Sequence, residues 1–286
     1  MLQLLAIMLF LRFLHGYTNS NLQLGEELTI EQLLNVLLIP SANDAANVIA
    51  EDIGGSVESF ANMMNTKAVE IGCTNTHFVN ANGVHDDNHY STAYDLALIG
   101  RYAMKNEDFR RIVASTKYTL PTTNKYDKTD RIFVTTNKLL NSKNSNYYEF
   151  ATGVKTGYTT EAKNCIVASA KKDDLELICV ILGANNDSSS TNKFSDCKTL
   201  FNFGFDNYTY KTLYSKDSVY KVVSPSNASS KTKDLNLLVE DAIKVLVKKS
   251  DYDVNFIPDV NLNDKIKAPI SKGSVVGTIS YDILRY

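Results

Sequence analysis

The side chains in this sequence that could do chemistry are its hydroxyls and lysines and its four histidines. The histidines are His15, His77, His85 and His89, and three of them fall in or beside one polar loop. That placement does not suggest a Ser-His-Asp triad. His85, Asp86 and His89 are residue types that suit zinc, but a solvated loop holds such residues without any ligand. Two tripeptides then stand out, Ser41-Ala42-Asn43 and Lys155-Thr156-Gly157. Each has a plain structural reading: Ser41 after Pro40 reads as a helix N-cap with Asp44 favouring the same helix end, and Lys155 reads as a solvated lysine at a strand end. Their order and context add a second reading. The first lies between two helices, and the second opens a group of strands whose edge could line a cleft.

The elements that must position them follow from periodicity and caps. Thr29 with Gln32 forms a capping box ahead of Leu33, Leu34, Val36, Leu37 and Leu38, and Pro40 stops that helix. A second helix is expected over about 42–52, ended by Gly54-Gly55, and a third over about 57–70, ended by Gly72. Residues 74–90 read as an irregular loop, after which Thr92 and Asp95 open a helix to about residue 104. Residues 117–140 look like hairpin material. Gly153 to Tyr158, Cys165 to Ala170 and Leu175 to Leu182 read as three strands, the last two an antiparallel hairpin turned by Lys171-Lys172-Asp173-Asp174, with a helix over about 190–203 covering one face. Beyond Tyr208 short alternating segments suggest a small β-rich domain.

The pair corresponds to two of the three signatures of class A β-lactamases and penicillin-binding proteins, Lys-Thr-Gly as it stands and Ser-Asp-Asn in the form Ser-Ala-Asn. Leu24 to Thr29, Leu38 to Ala46, Asn75 to Asn80 with Gly83, and Gly153 to Thr159 resemble the D-alanyl-D-alanine carboxypeptidases among the low-molecular-mass penicillin-binding proteins, and the likeness covers about residues 18–286. It implies an α/β (α+β) fold of the β-lactamase/transpeptidase-like kind, an antiparallel sheet flanked by helices, plus a small C-terminal β-rich domain. The expected division is an atypical segment over 1–17, a peptidase domain over 18–207 and a β-rich domain over 208–286.

The resemblance also implies acyl transfer. A serine attacks the carbonyl before the terminal D-alanine of a peptidoglycan stem peptide, and water releases the acyl-enzyme. Carried over by position, Ser41 would shuttle a proton between the lysine beside the nucleophile and the leaving amine, and Asn43 would hold the substrate amide. Lys155 would attract the terminal carboxylate, Thr156 would hydrogen-bond it, Gly157 would let the substrate backbone approach, and the Tyr158 N–H would serve an oxyanion hole. No cofactor or metal is needed, β-lactams are the family's inhibitors, and its place is the cell envelope, often peripheral on the membrane.

One signature is not found: residues 1–40 contain no Ser-x-x-Lys, so no nucleophile is assigned. The matches starting at Ser169, Ser190, Ser195, Ser218 and Ser230 all lie downstream of Ser41. The expectation is a family member truncated at its N-terminus, with the apolar run Leu4 to Leu11 in a segment unrelated to the family. Three outcomes stay open: an enzyme by descent, a stem-peptide or penicillin binding module without turnover, and a gene fragment without function. Composition narrows the rest. A net charge of −2 gives no basic face for nucleic acid. The widely spaced Cys73, Cys165, Cys179 and Cys197 imply neither a zinc site nor a disulfide framework, and read as buried small hydrophobes.

Overall fold

The computed structural model describes residues 19–128, 130–185, 192–229, 233–263 and 265–281; the atypical N-terminal segment expected over 1–17 lies outside them. The chain forms two compact units that part between Phe203 and Gly204.

In the first unit the apolar periodicity becomes a cluster of short helices: α1 (Ile30–Leu38), α2 (Asn43–Gly54), α3 (Val57–Glu70), α4 (Ala93–Ala103) and α5 (Glu107–Val113). Local chemistry fixes their starts. The Thr29 hydroxyl accepts the Gln32 N–H at 3.2 Å while the Gln32 carboxamide accepts the Thr29 N–H at 2.7 Å, the reciprocal pair expected from the sequence. Ser56, Thr92 and Asn106 cap α3, α4 and α5 through one bond each, the side chain accepting the N–H of Ser59, Asp95 and Phe109. Gly55, at φ +76°, closes α2 in the left-handed conformation that a residue without Cβ adopts freely. Leu37, Ile49, Phe60 and Phe109 are wholly buried and belong to one continuous core.

Strands β1 (Lys117–Thr119) and β2 (Ile132–Val134) form an antiparallel ribbon. β3 (Ala151–Thr159), β4 (Lys163–Lys172) and β5 (Leu175–Ala184) form an antiparallel sheet in that order, so β3 is an edge among the described residues. The expected four-residue turn between β4 and β5 is tighter: only Asp173 and Asp174 separate the strands, with Asp173 at φ +52°. Helix α6 (Lys193–Asn207) begins later than the sequence suggested and runs further, and the start of the expected span lies outside the described residues.

Two glycines set how closely helices approach this sheet. A Cβ on Gly100 of α4 would meet Val167 of β4 at 3.1 Å, and one on Gly153 of β3 would meet Val113 of α5 at 2.8 Å. The sheet thus lies against α4 and α5 with no room for a side chain at either point.

The second unit carries β6 (Tyr208–Tyr214), β7 (Val219–Val223), β8 (Leu235–Leu238), β9 (Ile243–Lys248), β10 (Asp259–Leu262) and β11 (Gly277–Ser280). They pair antiparallel as β6 with β9, β7 with β8 and β10 with β11. The β-prone run expected after Leu235 is therefore two strands. Val245 and Val247 alternate inward along β9 beside exposed neighbours, the period-two pattern of a half-buried strand.

Two polar clusters tie the first unit's loops down. Glu26 accepts from Arg131 through both guanidinium nitrogens, at 2.5 and 3.3 Å, and from the Thr123 hydroxyl at 2.6 Å and the Gln23 N–H at 3.0 Å. Both side chains of the ion pair are nearly inaccessible, at 9% and 1%. Burial alone would raise the Glu26 carboxyl, but the hydrogen bonds from Arg131, Thr123 and Gln23 hold it below its ordinary value. The expected loop 74–90 is pinned by a β-bridge between His77 and Tyr90. His89 turns inward there, its Nδ1 accepting the Val79 N–H at 3.3 Å and its ring edge-on to Phe78. Burial lowers its pKa to about 4, against a smaller upward pull from Asp86.

Two outcomes follow. Arg131→Met strands a buried carboxylate and should cost about 3–5 kcal/mol in urea unfolding, whereas Glu26→Leu with Arg131→Met should recover most of it. For His89 the unfolded imidazole takes up a proton near pH 6.5 that the folded one refuses until about pH 4. Stability should therefore fall as pH drops through that window, by about 3 kcal/mol at its lower end. The fall should be missing in His89→Gln.

Candidate functional site

Ser41 does not cap a helix. Ala42 is the N-cap of α2, without a side-chain bond, and Ser41 sits one residue before it at φ +79°, fully buried. The left-handed backbone is a strained choice for a residue with a Cβ, and it sets the direction of the hydroxyl at the turn between α1 and α2. Asn43 follows as the first residue of α2 and is 7% exposed. The expected support from Asp44 is present in another form: its carboxylate accepts the N–H and hydroxyl of Ser20, the Leu22 N–H and its neighbour Ala45 N–H. That anion at the first turn of α2 ties the incoming chain to the helix that carries the Ser-Ala-Asn motif.

Lys155 is not a solvated lysine at a strand end. It lies mid-strand in β3, 2% exposed, and its Nζ donates to the Thr156 carbonyl at 3.0 Å. In the β3–β4 register Lys155 faces Val167, and Gly157 faces Cys165. Both border a small hollow with Leu96 of α4, so the lysine is on the sheet face that α4 packs against. Thr156, also buried, meets the Thr136 hydroxyl at 2.5 Å. Tyr158 is 43% exposed, which brings the end of the strand to the surface. Lys155, Thr156, Gly157 and Tyr158 thus share one edge strand. Ala42, next to both Ser41 and Asn43, and Val154, next to Lys155, lie in the same continuous core, so the two motifs are built on one packed body.

The downstream Ser-x-x-Lys matches serve other ends where they are described. Ser169 is fully buried between the Thr152 hydroxyl and the Met104 sulfur, while Lys172 lies over the Phe150 ring. Ser195 and Asn192 cap the start of α6 reciprocally. Ser218 donates to the Ser215 carbonyl. Ser190 and Ser230 lie outside the described residues. The histidine loop likewise turns its nitrogens elsewhere: His77 Nδ1 lies 2.6 Å from the Asn88 carbonyl, and His85 pairs with Asp87 at 3.3 Å. Among the described residues no group of three acids, histidines or cysteines is placed to hold a metal ion.

Several polar groups near β3 were not singled out in the sequence. Thr136 is one, delivered to Thr156 by the segment that leaves β2. Asn137 follows it, 2% exposed, its Oδ1 taken by the Leu139 N–H and its Nδ2 without a partner among the described residues. Lys193, at the start of α6, is 9% exposed; its Nζ donates to Asn164 Oδ1 at 3.2 Å, and Asn164 pairs with Tyr158 across the sheet. No carboxylate among the described residues lies within ion-pair distance of Lys193. Burial lowers its pKa, Cys165 opposes that, and the charge of Lys138 lowers it further. The sequence signal was faint, a lysine beside an apolar helix start.

Comparison with known proteins meets this geometry. Residues 13–186 match the family described as D-alanyl-D-alanine carboxypeptidase, and residues 208–284 match the C-terminal domain of penicillin-binding protein 5. The chain is 36% identical over 267 residues to the D-alanyl-D-alanine carboxypeptidase DacF of Bacillus subtilis, covering 92% of this chain and 64% of that protein. It is 31% identical over 271 residues to DacC of Escherichia coli, covering 94% and 64%. The chain therefore spans just under two thirds of the length of these relatives. Among solved structures it resembles the DD-transpeptidase of Streptomyces K15, with a TM-score of 0.60 and 31% identity over 71% of this chain and 86% of that one. Penicillin-binding protein 3 of Streptococcus pneumoniae shares the fold, with a TM-score of 0.76 at 21% identity over 99% and 85%. The helices around an antiparallel sheet and the β-rich end are those expected, and the chain belongs to the D-alanyl-D-alanine carboxypeptidase family of serine peptidases.

Proposed function

We propose that this chain recognises the D-Ala-D-Ala end of peptidoglycan stem peptides along β3, in the reaction class of a serine-type carboxypeptidase that removes the terminal D-alanine in the cell envelope. The observation that carries this reading is the buried Lys155-Thr156-Gly157 stretch on a strand that pairs on one side only among the described residues. An extended peptide can add to such an edge through main-chain hydrogen bonds.

In this reading Lys155 supplies the cation for the terminal carboxylate. Thr156 donates its hydroxyl to the same group; in its 2.5 Å contact with the Thr136 hydroxyl either oxygen can be the donor, and Thr156 keeps its proton for the carboxylate when Thr136 donates. Lys193, beyond ion-pair reach of any described acid, donates to Asn164, the residue paired with Tyr158 across the sheet. Gly157 keeps the strand face clear, and the Tyr158 N–H contributes to an oxyanion hole. Ser41 and Asn43 take the proton-shuttling and amide-holding parts.

A second reading has its own support: with no Ser-x-x-Lys in residues 1–40, the groups named here recognise and assist without supplying a nucleophile. Stem-peptide or penicillin binding without turnover is then the outcome.

Titration of the purified chain with a peptide ending in D-Ala-D-Ala should show saturable binding, weakened at least tenfold by Lys155→Ala and by amidation of the peptide's carboxylate. Indifference to both changes would sink the reading. Intact mass after incubation with a labelled penicillin should show no adduct. Acylation at any serine would place a nucleophile in this chain and sink the second reading.

A further inference from the structure

The four cysteines divide into two kinds. Cys73 donates its thiol to the Asp95 carbonyl at 3.6 Å, and Cys165 donates to the Ala162 carbonyl at 3.3 Å while accepting the Gly183 N–H. Cys179 of β5 and Cys197 of α6 instead face each other, sulfur to sulfur, at 3.6 Å. Both are buried, at 6% and 0% exposure, and they lie 18 positions apart in the chain on two different elements. Contact with Cys179, then burial, pushes the Cys197 thiol far above its ordinary range. In the folded, reduced chain Cys197 is therefore inert as a nucleophile. With no third ligand of the metal-binding kind placed beside them among the described residues, a zinc site is not the use of this contact.

We propose that Cys179 and Cys197 are the partners of a disulfide that fastens α6 to β5 when the chain folds in an oxidising compartment. Thiolate exchange with a disulfide of the glutathione or oxidoreductase class makes the bond. The two cysteines give up two protons and two electrons, and the incoming disulfide leaves as two thiols. Burial of both sulfurs places this exchange before α6 seats on β5 in folding. The bond closes a short loop and limits the unfolded chain, which raises the melting temperature.

The test is to refold the reduced, denatured chain in a mixture of reduced and oxidised glutathione, trap free thiols by alkylation in denaturant, and read intact mass and a peptide map. The expected product carries two alkyl groups, on Cys73 and Cys165, and a cross-linked Cys179–Cys197 peptide. It should melt about 5 °C or more above the same sample treated with dithiothreitol. Four alkylated cysteines, or cross-links with no preference for this pair, would overturn the proposal. The same oxidation in strong denaturant should scatter the pairings, which ties the preference to the fold. Cys197→Ala should show three alkylated cysteines and a melting temperature indifferent to dithiothreitol; where that variant does not fold, the denaturant comparison alone decides.

Discussion

The first unit depends on how closely its helices lie against one sheet. Gly100 lets α4 rest on Val167 and Ile178, and Gly153 lets β3 rest on Val113 of α5. A close-packed interior transmits such constraints over several residues because no void absorbs a shift. The register of β3 against β4 then fixes every side chain along the edge strand, Lys155 opposite Val167 and Thr156 opposite Ile166. The position of the lysine is therefore a consequence of two missing Cβ atoms, one at Gly153 in its own strand and one at Gly100 in a helix far away in sequence.

The sequence made these elements legible where the reason was local. The capping box at Thr29, the Thr92 cap and the glycine stop at Gly55 are chemistry within a few residues, and each is present. It misled where a local rule was overridden by tertiary context. Ser41 follows a proline and precedes a helix, as a cap should, yet the turn from α1 to α2 places it in the left-handed region and passes the cap position to Ala42. Lys155 has the composition of a surface residue, but α4 and the sheet enclose it. Cys179 and Cys197 show the remaining limit. Each reads correctly as a buried small side chain, while their contact depends on how α6 seats on β5, which no spacing rule contains.

The two loop clusters show how polar groups do work that apolar packing cannot. The Glu26–Arg131 pair joins the segment before α1 to the loop between β1 and β2, residues about a hundred positions apart. A buried ion pair contributes little net stability against a hydrophobic substitute, but its geometry admits one arrangement. The ribbon held there continues into Thr135, Thr136 and Asn137, so the clamp also determines where Thr136 meets Thr156. Position is the contribution of this pair, more than energy.

Lys193, beside β4, is an unusual polar group for the interior of the first unit. Lys193 is almost wholly buried with a neutral oxygen as its hydrogen-bond partner, and burial lowers its affinity for the proton it carries. An ammonium in that setting costs stability that a nearby anion would return. A second cation, Lys138, stands close enough to lower it further. Natural cores avoid this arrangement unless an acid compensates it, and the described residues place none at Lys193. The fold therefore holds the Lys193 amine by burial and one amide oxygen, an arrangement that lowers its affinity for a proton and that the surrounding core must offset.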